Sequence, residues 1–361
     1  MGLFAPGEPG PDPPAGVAGR RRAPGGVKGW VQPRADAPAE LSSVPLFRPA
    51  PLRPGDVVRV VAPSGPVDPE ALERGIAVLR DEFGLDVRTR PDVTARQRYL
   101  AGTDARRLEE WREAASDLQT RAIFCARGGY GAMRLLPRLE PARLLHPPRW
   151  VVGFSDTTAI HAVLNRAGLV TLHGPLVTTL GRTTPEAREH LKSLLFGRAA
   201  LSARPGAALA PGAGCAATGV IRPGRASGTL LGGSLTILAH LCGTPWMPRL
   251  AGAVLFLEDV DEKPYRLDRY LTQLRLSGAL DGVRAVCVGQ LTSCDDAGQG
   301  GAETVRELVR ALGVPAIEGL PVGHEPANFA LPLGSVVAVV APRPGDPGPP
   351  QLLFEQGTPA S

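Results

Sequence analysis

The sequence predicts an α/β fold, a mainly parallel sheet covered by helices on both faces, and three observations point to it. Short apolar runs at 57–62, 122–126, 150–153 and 170–172 have the length and composition of buried strands. Segments with apolar residues at helical spacing alternate with them. Glycine and proline punctuate the joins.

Taken in order, strand 57–62 follows Gly55-Asp56 and enters the turn Pro63-Ser64-Gly65-Pro66. Asp68 then caps a helix with Pro69 at its first position; Leu72, Ile76 and Leu79 keep helical spacing, and Gly84 stops it. Asp104 is expected to cap the next helix, with Leu108, Trp111 and Leu118 on one face. Strand 122–126 leads into Arg127-Gly128-Gly129-Tyr130-Gly131, and 131–139 reads as helical. Strand 150–153, helix 157–167 closed by Gly168, and strand 170–172 come next. After an Ala/Gly/Pro stretch, the second half offers 219–222, a helix near 234–242, strand 253–257 and a helix at 266–276. It ends with strand 283–288, helix 302–312 and strand-like 336–341 and 352–354, a more β-rich close.

A chain of 361 residues exceeds one ordinary core, so two domains are expected. Residues 1–50, rich in Pro, Gly and Ala, bury too little apolar surface to offset ordering entropy and read as a disordered tail. Residues 51–197 form an N-terminal α/β domain, 198–218 a linker and 219–355 a C-terminal domain.

The composition, 43% hydrophobic and 21% charged, is that of a soluble globular protein, and no apolar run is long enough to span a membrane. Gly and Pro interrupt any signal-peptide core at the start, so a cytoplasmic location is expected. The net charge of +5 forms no basic stripe, which argues against a nucleic-acid partner. Five cysteines without a Cys-x-x-Cys pair speak against disulfides and structural zinc; Cys125 and Cys287 read as buried small hydrophobes.

Chemistry concentrates at Gly153-Phe154-Ser155-Asp156-Thr157, where a strand meets a helix. A serine on such a corner stands beside unpaired helix N–H groups, which suits a nucleophile whose oxyanion needs backbone donors. The competing reading makes Ser155 or Asp156 a helix cap. Three glycines in 128–131 allow close approach of backbone to a ligand. Glu258, Asp259, Asp261 and Glu262 gather at a strand end, as a cation site or a solvated turn. His324 lies in a Gly/Pro-bounded loop. His161 and His240 fall in helical runs, His190 reads as helix surface and His146 as loop, so His173 in Leu-His-Gly-Pro is the rival base. A serine hydroxyl needs a base, and the base an orienting acid; Ser155, His324 and Glu258 supply one of each.

Those residues carry a resemblance. Ala62-Pro63-Ser64-Gly65, Ala101-Gly102-Thr103, Arg127-Gly128-Gly129-Tyr130-Gly131-Ala132 and Gly153-Phe154-Ser155-Asp156 stand in one order with Gly228-Thr229-Leu230 and Gly232-Gly233. Gly243-Thr244-Pro245-Trp246-Met247-Pro248, Leu257-Glu258-Asp259, Glu262-Lys263-Pro264-Tyr265-Arg266, Gly323-His324-Glu325 and Leu331-Pro332-Leu333-Gly334 follow. From about residue 53 to 340 the chain resembles the LD-carboxypeptidase family of serine peptidases, which includes muramoyltetrapeptide carboxypeptidase. The resemblance implies Ser155 as nucleophile, Glu258 as acid and His324 as base, with the oxyanion met by N–H groups of Gly129 and Asp156. It implies a Rossmann-like parallel-sheet N-terminal domain and a C-terminal domain with barrel-like β structure, the site between them. Cleavage of the amide joining a diamino acid to terminal D-alanine in muropeptide tetrapeptides, a homodimer, and no metal or organic cofactor are also implied.

One departure is Ser234, where relatives often carry Asn. Some relatives are immunity enzymes that cleave peptidyl-nucleotide antibiotics, but 258–266 resembles the recycling enzymes more. A non-catalytic binding protein on this fold is opposed by retention of Ser155, Glu258 and His324. An α/β-hydrolase esterase shares the residue order, but Gly-Phe-Ser-Asp-Thr lacks the second glycine of that elbow.

Overall fold

Alternate side chains along the early strands enter different cores, which is what puts helices on both faces of the first sheet. The computed structural model describes residues 46–197 and 215–354. The expected tail up to 45, the linker over 198–214 and the chain from 355 lie outside the described residues. The first half runs β1 (Val57–Val61), α1 (Pro69–Ala77), β2 (Asp86–Thr89), α2 (Asp104–Ser116) and β3 (Thr120–Cys125). It continues through β4 (Trp150–Gly153), α3 (Thr158–Arg166), β5 (Thr171–His173), α4 (Val177–Leu180) and α5 (Pro185–Leu195). Then come β6 (Gly219–Arg222), β7 (Gly224–Ser234), α6 (Leu235–Leu241), β8 (Ala253–Val260) and α7 (Pro264–Leu276). The last elements are β9 (Ala285–Thr292), α8 (Gly301–Ala311), β10 (Ala316–Glu318), β11 (Leu331–Leu333), β12 (Val336–Ala341) and β13 (Gln351–Phe354).

The first sheet has the order β11-β5-β4-β3-β1-β2 and is parallel except at β11. Val60, Phe124 and Val152 pack with Leu72 and Ile76 of α1 and Leu191 of α5 on one face. Ile123, Cys125 and Val151 pack with Leu108 and Trp111 of α2 and Ile160 of α3 on the other. The second sheet, β13-β12-β7-β8-β9-β10-β6, is parallel across β7-β8-β9-β10 and curls into a half-barrel. Helices α6, α7 and α8 cover its outside through Leu238, Leu271 and Val305. Phe256, Val337 and Phe354 belong to the separate core on its other face.

Asp68 caps α1 as expected, its carboxylate accepting from Ala71 N–H at 2.8 Å. The cap of α2 is Thr103 rather than Asp104: its hydroxyl accepts from Arg106 N–H at 3.1 Å. That helix stops at Ser116, so Leu118 lies beyond it, 80% exposed. The expected helix at 131–139 becomes two single 3₁₀ turns, Ala132–Arg134 and Leu136–Arg138, because Pro137 has no N–H for a continuing ladder.

Gly232 and Gly233, at φ of 140° and 138°, let β7 lie tight against its neighbours. A Cβ on Gly232 would sit 1.9 Å from the Phe256 carbonyl oxygen of β8, and one on Gly233 2.4 Å from Thr158 Oγ1 of α3. Next to them, Ser234 N–H donates to Thr158 Oγ1 at 3.1 Å, joining the second sheet to the helix that follows Ser155. Gly232→Ala therefore combines backbone strain with overlap onto backbone. A loss of about 3 kcal/mol or more is expected, seen as a large drop in Tm or failure to accumulate soluble protein.

Candidate active site

Strand β4 is buried along its whole length and ends at Gly153. Phe154 stays extended, and Ser155 then takes φ 60°, a left-handed conformation that costs a non-glycine residue about 1 kcal/mol. The surroundings hold that corner. His161 Nε2–H donates to Gly153 O at 2.8 Å, and Ala132 N–H donates to Asp156 Oδ2 at 2.8 Å. The cap positions Phe154 and Thr157 make no side-chain capping bond, and the Asp156 carboxylate serves the glycine loop instead. Burial pushes the Asp156 carboxyl up, against the pull of Ser64, Ala132 N–H and Arg107.

The glycine loop lies against the serine. A Cβ on Gly128 would come within 3.0 Å of both Cβ and Oγ of Ser155. Gly129 has φ 96°, and its N–H makes no backbone hydrogen bond among the described residues. Gly65 N–H donates to Gly128 O at 3.0 Å, tying the turn after β1 to the loop after β3. Strand order reverses between β1 and β3, and crevices at such switch points are where open α/β sheets bind ligands. Arg107, fully buried, braces the same place by donating to Pro63 O and Gly131 O and pairing with Asp104. Sequence reasoning missed Arg107; nothing in the pattern separates it from the other arginines of α2.

Glu258 and His324 come from the second half and meet. His324 Nδ1–H donates to Glu258 Oε2 at 2.9 Å, and the carboxylate is fully buried. The β8–β9 ladder slips between Leu257 and Asp259, so the irregularity falls on Glu258. The His324 loop is braced from both sides: Gly323 N–H donates to Asn328 Oδ1 at 3.1 Å and Glu325 N–H to Gln290 Oε1 at 2.9 Å. The imidazole stands edge-on to Phe154, the residue before Ser155 in the chain, ring centroids 4.7 Å apart. With Nδ1 engaged, Nε2 is the nitrogen left for a hydroxyl.

The neighbouring acids have other occupations. Asp259 Oδ2 accepts from Thr236 N–H and Oγ1–H at 2.7 and 2.8 Å, and burial, then repulsion from Glu258, push it up to about 7. Glu262 pairs with Arg266. Among the described residues no group of three His, Cys, Asp or Glu is arranged to hold a metal ion. Cys125 and Cys287 are fully buried, and burial pushes the Cys125 thiol up to about 12. Ser234, the departure from relatives, caps α6 by accepting from Ile237 N–H at 3.3 Å. His190 is not helix surface: it is buried, and its Nε2–H donates to Ala330 O at 2.9 Å, filling the space between α5 and the approach to β11.

A strained serine, a glycine loop whose Gly129 N–H makes no backbone bond among the described residues, and a buried His–Glu pair at the ends of two sheets are features of the serine-type hydrolases as a class. Within it, the chain belongs to the LD-carboxypeptidase family: residues 58–174 match its N-terminal domain and 227–339 its C-terminal domain. It is a serine-type carboxypeptidase. The murein tetrapeptide carboxypeptidase of Pseudomonas aeruginosa is 35% identical over 290 residues, covering 79% of this chain and 94% of that one. The crystal structure of muramoyltetrapeptide carboxypeptidase from Oxalobacter formigenes superposes with a TM-score of 0.70 at 29% identity, over 83% of this chain and all (100%) of that one. The microcin C7 self-immunity protein MccF of Escherichia coli is 26% identical over 329 residues, covering 83% and 94%.

Proposed function

We propose that the protein removes terminal D-alanine from muropeptide tetrapeptides during cell-wall recycling, by an acyl-enzyme route on Ser155. The observation that carries the mechanism is the 2.9 Å His324–Glu258 pair beside the φ 60° corner of Ser155. His324 Nε2 takes the Ser155 proton as Oγ attacks the carbonyl of the diamino acid. Glu258 accepts the Nδ1–H and stabilises the imidazolium. N–H groups of Gly129 and Asp156 receive the oxyanion, Asp156 standing in the first turn where such groups lack intrahelical partners. The imidazolium returns its proton to the D-alanine amine, which leaves; water then attacks the ester, and the same base restores Ser155. The protein would act in the cytoplasm as a homodimer. No described helix is long and apolar enough to cross a membrane.

Similarity to the microcin C7 self-immunity protein favours a second reading, hydrolysis of a peptidyl-nucleotide antibiotic by the same groups. Incubating the protein with a muropeptide tetrapeptide is expected to yield free D-alanine and tripeptide by mass spectrometry, unaffected by EDTA. No release from the tetrapeptide, with cleavage of a peptidyl-nucleotide in parallel, moves the activity to the second reading.

A further inference from the structure

His173, the rival base, sits at the end of β5 with no exposure, and neither ring nitrogen has a hydrogen-bond partner among the described residues. Glu258 Oε1 is equally buried and equally without a partner. The two orphans face each other: His173 Nε2 lies 3.9 Å from Glu258 Oε1, while Oε2 of the same carboxylate holds His324. Phe154 and Phe256 wall the imidazole edge-on at 5.8 and 5.1 Å, leaving it little freedom to find another partner.

We propose that His173 is the positioning residue of Glu258, a neutral imidazole whose Nε2–H donates to Oε1 and so aims Oε2 at His324. Two buried polar atoms of opposite kind each carry a desolvation cost while unmade, and a shift of about 1 Å closes the contact to normal length. The groups facing His173 fix its charge state. His161 from α3 and His324 from its loop oppose a cation, and burial outweighs both, holding the imidazole far below its usual titration range. Glu258 from β8 is the acceptor, and Asp259 beside it is committed to Thr236. A neutral donor leaves the carboxylate's charge for the imidazolium of the transition state, whereas a cation would compete for it.

The proposal rests on the reading that Glu258 orients His324, and the test separates the two. His173→Leu removes the donor, so the carboxylate is left short of one partner and either keeps a proton or holds one on His324 more tightly. Both move the acid limb of kcat/KM to higher pH, by about one unit, with a fall in kcat of about tenfold or more and little change in KM. His173→Gln, whose amide Nε2 reaches the same place, is expected to restore the limb, and His173→Asn is not. An unmoved limb in soluble His173→Leu, with Glu258→Gln still inactive, overturns the role of His173 alone. Full activity in Glu258→Gln overturns the orienting role and this proposal with it. On the unmodified protein, ¹⁵N-imidazole NMR should show His173 as the Nε2–H tautomer from pH 5 to 8; the Nδ1–H tautomer overturns the assignment whatever the variants do.

Discussion

Ser155→Ala is expected to lower kcat for D-alanine release by about four orders of magnitude or more, leaving a residue of rate from the glycine loop and binding alone. The Tm should hardly move, because alanine inherits the same φ of 60°. Ser155→Gly separates the two roles of the position. Glycine occupies left-handed conformations without the Cβ penalty, so this variant should be equally inactive and yet more stable by about 1 kcal/mol, a rise of a few degrees. A serine retained where glycine is more stable is the mark of a residue kept for its hydroxyl. Retention of activity in either variant, measured on protein free of wild type, would remove Ser155 as nucleophile. A helix-cap role predicts a different stability result for Ser155→Ala, since loss of a cap to alanine costs about 1 kcal/mol, whereas loss to glycine costs only a few tenths.

The corner was legible in the sequence because a four-residue apolar strand, a glycine and a serine in succession leave few other conformations. The first sheet was legible from short runs of strand length: β4 is apolar and buried throughout, and β1 and β3 are mostly apolar and mostly buried, interrupted by Arg59 in one and opened by Thr120 and Arg121 in the other. The residues that were missed share a different character. Strand β7 reads Gly-Arg-Ala-Ser-Gly-Thr-Leu-Leu-Gly-Gly-Ser, a sequence with little strand propensity, and it is held by ladders to β12 and β8 on either side. Strand β11 is three residues long, contains Pro332 and exists only because β5 offers an open edge 160 or so residues earlier. Arg107 was hidden by the same nonlocality, and His173, read from the sequence as the rival base, drew no other role from it. Their neighbours, Pro63 and Gly131 for one and, 3.9 Å away, Glu258 for the other, come from strands and loops that only the folded chain brings near. Sequence offers candidates for reactive groups, but the residues packed against them look ordinary until the fold supplies a neighbour.

Glu258→Gln carries the second large expectation, a loss of about 10⁴ in kcat with the fold intact. The size of the loss follows from the Nδ1 contact rather than from volume, since glutamine fills the same space. A glutamine amide turned with its NH₂ toward Nδ1 stabilises the tautomer that carries its proton on Nε2, and that nitrogen then cannot accept from Ser155. Turned the other way it accepts, but it offers no charge to the imidazolium. Asp259 provides a second readout that activity does not reach. Its carboxyl is raised to about 7 by burial first and by Glu258 second, so it contributes stability that is full below its ordinary value of 3.8 and is lost as pH rises through about 7. Removing the Glu258 charge removes the second cause. The variant should therefore lose less Tm than wild type as pH is raised from about 4 to about 7, and the gap should stay constant above that window. Parallel Tm–pH profiles would show that the two carboxyl groups do not repel.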